Sequence, residues 1–196
     1  ARPGSACAPA VSAERRRIAE DTGRQAVRLA AEGVRPKDIM DRRAIENALR
    51  VLLAIGGSTN GIIHLTAIAG RLGIRIDLEA VDRMARETPV LVNLKPSGSH
   101  YMQDLEAVGG LVRILYEIKD LLHLVAPRVD GRTLGEVLDQ SNPDWPQDVV
   151  RPRSDPIYPE GGLALLKGSL EPNGAIIKQS AASDRKSTRL NSSHVK

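Results

Sequence analysis

Ile55-Gly56-Gly57-Ser58-Thr59-Asn60-Gly61-Ile62-Ile63-His64-Leu65 joins two apolar helical stretches through a short polar break. Adjoining glycines let the backbone take positive φ and approach a neighbour closely. Ser58, Thr59 and Asn60 are residue types that cap a helix N-terminus. The free N–H groups and the dipole at such an end favour an anion, a carboxylate or a phosphate. An ordinary helix–turn–helix corner, whose cap bonds only its own backbone, would carry the same pattern. Both readings stand at this level.

Working back from the corner, Asp41 opens the preceding helix, and Ile45, Ala48, Leu49, Leu52 and Ile55 are expected to bury its face. Before that, Ser12 caps a helix expected over 13–32, with Ile18, Thr22, Ala26, Leu29 and Ala30 on one side and Gly33 closing it. Working forward, a helix over 60–72 ends at Gly73. Asp77 starts another that turns Leu78, Val81 and Met84 inward and stops at Pro89. Residues 90–94 are short, rich in β-branched side chains and bounded by prolines, which predicts a buried strand. It delivers Lys95-Pro96-Ser97-Gly98, a turn at a strand's C-terminal end, where open α/β sheets hold their ligands. Leu105, Val108, Leu111, Val112, Leu115 and Ile118 predict one long helix or two joined at Gly109-Gly110. Thr133 and Glu136 form a capping box.

From Ser141 the chemistry changes. Pro143, Pro146, Pro152, Pro156 and Pro159 make an irregular crossing segment. Residues 162–170 and 175–180 then alternate apolar and other side chains about Glu171-Pro172-Asn173-Gly174, a hairpin turn. The fold class expected is α/β. Residues 1–140 form a helix-rich part of an N-terminal α/β domain with a short parallel sheet. Residues 141–183 form the crossing segment and the first hairpin of a β domain.

The 196 residues are 41% hydrophobic but include no Phe, one Trp and three Tyr, so the core must be aliphatic and the composition speaks against base stacking on aromatic platforms. One cysteine, Cys7, excludes an internal disulfide. No stretch approaches the ~20 apolar residues of a membrane span. Four basic residues against one acid in residues 184–196 supply three of the four net positive charges, so charge gives no basis for nucleic-acid binding. That tail lacks apolar periodicity. Asp184 to His194 resembles translated adapter read-through, a non-native end; a genuine disordered basic tail is the alternative.

Taken together, Gly56 to Asn60 with His64-Leu65, Leu91 to Gly98, Met102 to Asp104 before Gly109-Gly110, and Asp155 to Ala181 are similar in order and spacing to the dihydroxy-acid, sugar-acid and phosphogluconate dehydratases. The resemblance runs from Pro3 to Ser183. The opening around Pro3-Gly4-Ser5-Ala6 and the ending at Ile177-Lys178-Gln179-Ser180 look closer to the aldonic (sugar) acid branch.

The resemblance implies a hydro-lyase that removes water from a 2,3-dihydroxy carboxylate, an aldonic acid, to give a 2-keto-3-deoxy acid. The alternative within the family is the dihydroxy-acid dehydratase of branched-chain amino-acid biosynthesis. A non-catalytic anion-binding module is the alternative from another class. The family uses an iron–sulfur cluster, of the 2Fe–2S kind, as Lewis acid on the departing hydroxyl, and Mg²⁺ on the carboxylate end. Its cluster cysteines and magnesium ligands lie upstream of the region represented here and its catalytic serine downstream. The chain is therefore expected to be an internal fragment, inert alone, with no catalytic or metal-ligating residue of its own and with a β-barrel-like second domain begun by the hairpin. A cytoplasmic, homo-oligomeric parent enzyme with a small-molecule substrate, and no nucleic-acid or membrane partner, goes with this reading.

Residue by residue, the resemblance assigns Gly57, Ser58, Thr59, Asn60, His64, Ser97 and Gly98 to the lining of the substrate pocket. For His64 a place within the core is an equal alternative. Asp155, Gly161 and Gly162 read as turn formers, and Lys178 as a solvated strand lysine or one facing the domain interface. Four residues depart from the family pattern. Ser99-His100 and Gln103 stand where a lysine and a glutamate are usual, and Gly61 replaces an alanine, which should loosen its helical turn by about 1 kcal/mol.

Overall fold

The computed structural model describes residues 7–141 and 146–182. The readings made above for residues 1–6, for Pro143 and for the tail lie outside these residues. Among the described residues eight α-helices precede a hairpin: α1 (Ala13–Ala31), α2 (Pro36–Ile39), α3 (Arg42–Ala54), α4 (Thr59–Arg71), α5 (Leu78–Glu87), α6 (Met102–Ala107), α7 (Gly110–Glu117), α8 (Leu134–Asp139), then β1 (Leu163–Leu166) and β2 (Ala175–Lys178). None of these helices is long and apolar enough to cross a membrane.

Each helix starts where side-chain chemistry places it. Ser12 Oγ accepts from the Arg15 N–H at 3.1 Å, Asp41 Oδ1 from Ala44 at 2.9 Å, and Asp77 from Glu79 and Ala80. Thr133 and Glu136 exchange their hydrogen bonds as a capping box should. The Asp41 carboxyl is pushed up by burial, but the Ala44 N–H and the Arg43 guanidinium outweigh this and hold it below its ordinary value. As pH falls through the unfolded value near 4, the unfolded chain takes the proton first, so the cap's contribution is lost on acidification. Thermal melts between about pH 5 and pH 3 should therefore fall less steeply for Asp41→Asn than for the parent, and Asp41→Ala should cost about 1 kcal/mol at neutral pH.

Helix α3 stands between two aliphatic cores. Leu49 and Leu53 pack with Ile45, Ile62, Val81, Ala85 and Leu163 on one side, while Ala54 joins Leu91, Ile114, Ile118, Leu138 and Val150 on the other. Several expected core positions lie elsewhere. Ile55 is 37% exposed because the helix ends there, and Ala26 and Ala30 on α1 face solvent, leaving Ile18 as that helix's buried residue. The alternative of two helices holds for the stretch after residue 101, since Gly109 and Gly110 both take positive φ between α6 and α7.

The expected short parallel sheet takes a reduced form. Residues 90–94 are extended, and 90–92 are buried, but they make only single bridges, antiparallel at Val90–Tyr158 and Val92–Val150 and parallel at Leu94–His100. The Pro-rich crossing segment lies alongside them; Pro152 and Pro156 offer no N–H, so no continuous ladder can form. The hairpin is antiparallel, with Leu163 opposite Lys178 and Leu166 opposite Ala175, and Gly174 in its turn has φ +100°. Its first strand is shorter than expected, and Leu170 is fully solvated.

Candidate functional site

At the corner, α3 closes with Gly56 at φ +61° and the Gly57 N–H on the Leu52 carbonyl at 2.9 Å. A side chain at Gly57 would stand 2.9 Å from that same carbonyl oxygen, so only glycine fits. Ser58 then caps α4, its hydroxyl accepting from the Asn60 N–H at 3.1 Å. The Ser58 hydroxyl is thus engaged with its own helix.

The second wall hangs from the end of α3. The Leu91 N–H bonds the Ala54 carbonyl at 2.8 Å, while Val90 and Asn93 bond Tyr158 and Val149. Residues 90–94 are thereby held between the helix and the crossing segment. They present Lys95-Pro96-Ser97-Gly98, a turn closed by Gly98 N–H on the Leu94 carbonyl and by the Asn93 side chain accepting from Ser99. The third wall runs over 158–162. Gly161 donates to the Ala85 carbonyl, and Gly162 sits so close to Gly56 that a β-carbon on it would stand 2.8 Å from the Gly56 α-carbon. The strand end follows: Gln179 bonds Gly162 O through its N–H and Gly161 O through its side chain.

These walls enclose a cavity of about 570 Å³, within the range of small-molecule sites. Its floor is apolar, from Ile55, Val90, Val92, Leu94, Leu105 and Ile157. Asn93, Lys95, Ser97, Tyr158, Glu160, Lys178 and Ser180 supply polar groups around it. Ser97 Oγ and Ser180 Oγ lie 3.3 Å apart, joining the turn to the strand end. The Lys95 ammonium is 2.5 Å from the Tyr101 hydroxyl and lies over its ring.

Of the residues the sequence pointed to, Gly57, Ser97 and Gly98 line this cavity. Ser58, Thr59, Asn60 and His64 do not, and Ser58, Asn60 and His64 are exposed on the outer side of the corner. The place within the core allowed for His64 is ruled out by that exposure. Tyr158 and Glu160 were missed, because the crossing segment has no periodicity that shows which way it faces, and Ser180 because the strand ends before it, at Lys178.

Every cofactor ligand must come from a converging set of donors, and among the described residues no three His, Cys, Asp or Glu side chains converge. Cys7 is buried, and burial raises its thiol above the ordinary value, with the Glu106 charge adding to this against a hydrogen bond from Leu111. Such a thiol stays protonated. These residues do not fit an iron–sulfur cluster, which needs several thiolates.

Residues 1–137 match the family model described as dihydroxy-acid/6-phosphogluconate dehydratase N-terminal, and residues 148–195 match its C-terminal counterpart. The chain belongs to this dehydratase family. It is 44% identical over 186 residues to a dihydroxy-acid dehydratase of Methanothrix thermoacetophila, covering 93% of this chain and 34% of that protein. It is 41% identical over 185 residues to one from Syntrophotalea carbinolica, covering 94% of this chain and 33% of that protein. With Ignicoccus hospitalis the identity is 44% over 182 residues, 91% of this chain and 33% of the relative. The chain thus spans about a third of the length of the dehydratases it matches. Both matched segments contribute to the cavity: the corner and the 93–98 turn from the first, residues 157–162 and 178–180 from the second.

Proposed function

We propose that this chain forms one wall of the substrate pocket of a hydro-lyase that dehydrates a 2,3-dihydroxy carboxylate to a 2-keto acid. Membership of the dehydratase family across both matched segments, which meet at one cavity, carries this reading. Gly57, Ser97 and Gly98 shape the cavity wall. The polar groups of residues 158–180 face an apolar floor, a division suited to an acid with one charged end and a hydrocarbon remainder. The iron–sulfur cluster and Mg²⁺ expected of the family would be held by parts of a longer polypeptide, since the donor set here does not suit them.

The names of the relatives favour the dihydroxy-acid reading, given above as the alternative, over the sugar-acid reading. The largely aliphatic floor supports the same choice, because a sugar acid carries a hydroxyl on each remaining carbon and each would need a partner there. The test is an anaerobic assay of the complete polypeptide that contains this chain, on 2,3-dihydroxyisovalerate and on arabinonate. We expect 2-ketoisovalerate to form with the higher kcat/KM. A preference for arabinonate would overturn the substrate, and no turnover of either would overturn the reaction.

A further inference from the structure

Lys178 ends β2 directly opposite Leu163. Opposed residues of an antiparallel pair project from the same face of the sheet, and Leu163 is 1% exposed within the core built on Leu53. Ile176, two residues earlier on the same strand, packs against that core as well. Alternation therefore puts the lysine on the inward face, where it is half-buried and lines the cavity. Among the described residues Lys178 has no ion pair and no side-chain hydrogen bond, whereas Lys95, the other lysine on the cavity, is engaged with Tyr101. The cavity's acid, Glu160, adds to the negative charge around Arg86, behind the larger effect of Asp82. An inward ammonium beside a buried leucine is unfavourable until a counter-ion reaches it.

We propose that Lys178 is this chain's own anion-holding residue in the cavity, its ammonium receiving one carboxylate oxygen of a small hydroxy acid beside the Mg²⁺ that the family reading expects at that end. The acid's identity rests on the dehydratase reading above; the role of the lysine rests on the register of the hairpin and the absence of an acid partner. The carboxylate then lies at the strand end, leaving the carbon chain to run over the floor formed by Val90, Val92 and Leu105.

The 196-residue chain can be titrated with sodium glycerate, the smallest 2,3-dihydroxy carboxylate, with amide NMR shifts as the readout and glycerol as the uncharged control. Glycerate should move Gly56, Gly57, Gly162 and Lys178, glycerol should not, and Lys178→Met should weaken glycerate by about ten-fold while Lys178→Arg stays near the parent. Equal affinity in Lys178→Met overturns the assignment of the lysine and leaves the dehydratase reading standing. Acetate and phosphate binding as tightly as glycerate, with all three lost in Lys178→Met, supports the lysine and overturns the dihydroxy-acid reading of the cavity. No shift with any anion overturns the role of the lysine and leaves the dehydratase reading, which rests on the family match, standing. A melting curve accompanies each variant, and Lys178→Gln replaces Lys178→Met if the latter does not fold.

Discussion

Gly162→Ala should destabilise the chain by about 2–3 kcal/mol and close the cavity to ligands. A β-carbon at residue 162 would stand 2.8 Å from the Gly56 α-carbon and 3.4 Å from its carbonyl carbon. Both are backbone atoms, so no side-chain rotation relieves the clash. Gly56 cannot retreat cheaply, because its positive φ ends α3 and its N–H is held by the Leu53 carbonyl at 3.1 Å. The 161–162 strap must move outward instead, taking with it the bonds from Gly161 to Ala85 and from Gln179 to Gly162. Urea denaturation reads the loss, and glycerate titration reads the cavity. Gly168→Ala, at a position open on all sides, is the matched control and should change stability little. A Gly162→Ala chain as stable as the parent would mean that the corner and the strap are not in contact.

The contrast between Gly162 and Gly61 shows where sequence reading reaches its limit. Taken from sequence, Gly61 is a helix-propensity defect worth about 1 kcal/mol. In the fold, a β-carbon there would meet Leu52 Cδ1 at 2.6 Å and Cδ2 at 2.9 Å, so the leucine occupies the space an alanine methyl would take. Propensity is local and was legible; the neighbour filling the gap is not. The same division runs through the whole chain. Caps at Ser12, Asp41, Asp77 and Thr133 depend on residues two or three apart, and each was readable. The antiparallel bridges of Val90 and Val92 depend on partners more than fifty residues away in a segment without pattern, and the one parallel bridge, Leu94 to His100, is local, so the short parallel sheet takes a reduced form.

The candidate site follows the same rule. The glycine pair announced a close approach, but nothing nearby indicated that the approaching group is Gly162 or that the cavity opens on the Gly57 side rather than toward His64. Asn47, a buried polar residue on a helix face otherwise aliphatic, could have been suspected of a distant partner; its side chain bonds both backbone groups of His123. Lys178 carried a usable signal. It falls on the same alternation as Ile176, and a lysine in phase with core residues is an exception that asks for a partner. General expectation that strand lysines are solvated outweighed that phase.

The ion pair under the crossing segment should prove the more expensive feature to break. Arg113 and Glu117 lie one turn apart on α7 with only 9% and 14% of their side chains exposed, and their charged atoms are 2.7 Å apart. Glu117 also accepts the Arg153 N–H at 3.3 Å, fastening the crossing segment to the helix. Removing the carboxylate charge takes away the guanidinium's 2.7 Å charge partner at a largely buried place, and breaking such a pair costs about 3–5 kcal/mol. Glu117→Gln is therefore expected to lower the urea midpoint more than any single cap substitution, and added salt should not mask the difference, since buried pairs are poorly screened. The paired replacement Arg113→Met with Glu117→Leu removes both charges and fills the volume, and should be less damaging than Glu117→Gln alone. Were the double replacement as damaging as Glu117→Gln, the pair's worth would reside in holding Arg153 rather than in its charges. In that event the damage should appear in the cavity too, because residues 151–158 carry Tyr158 to its wall through the same backbone.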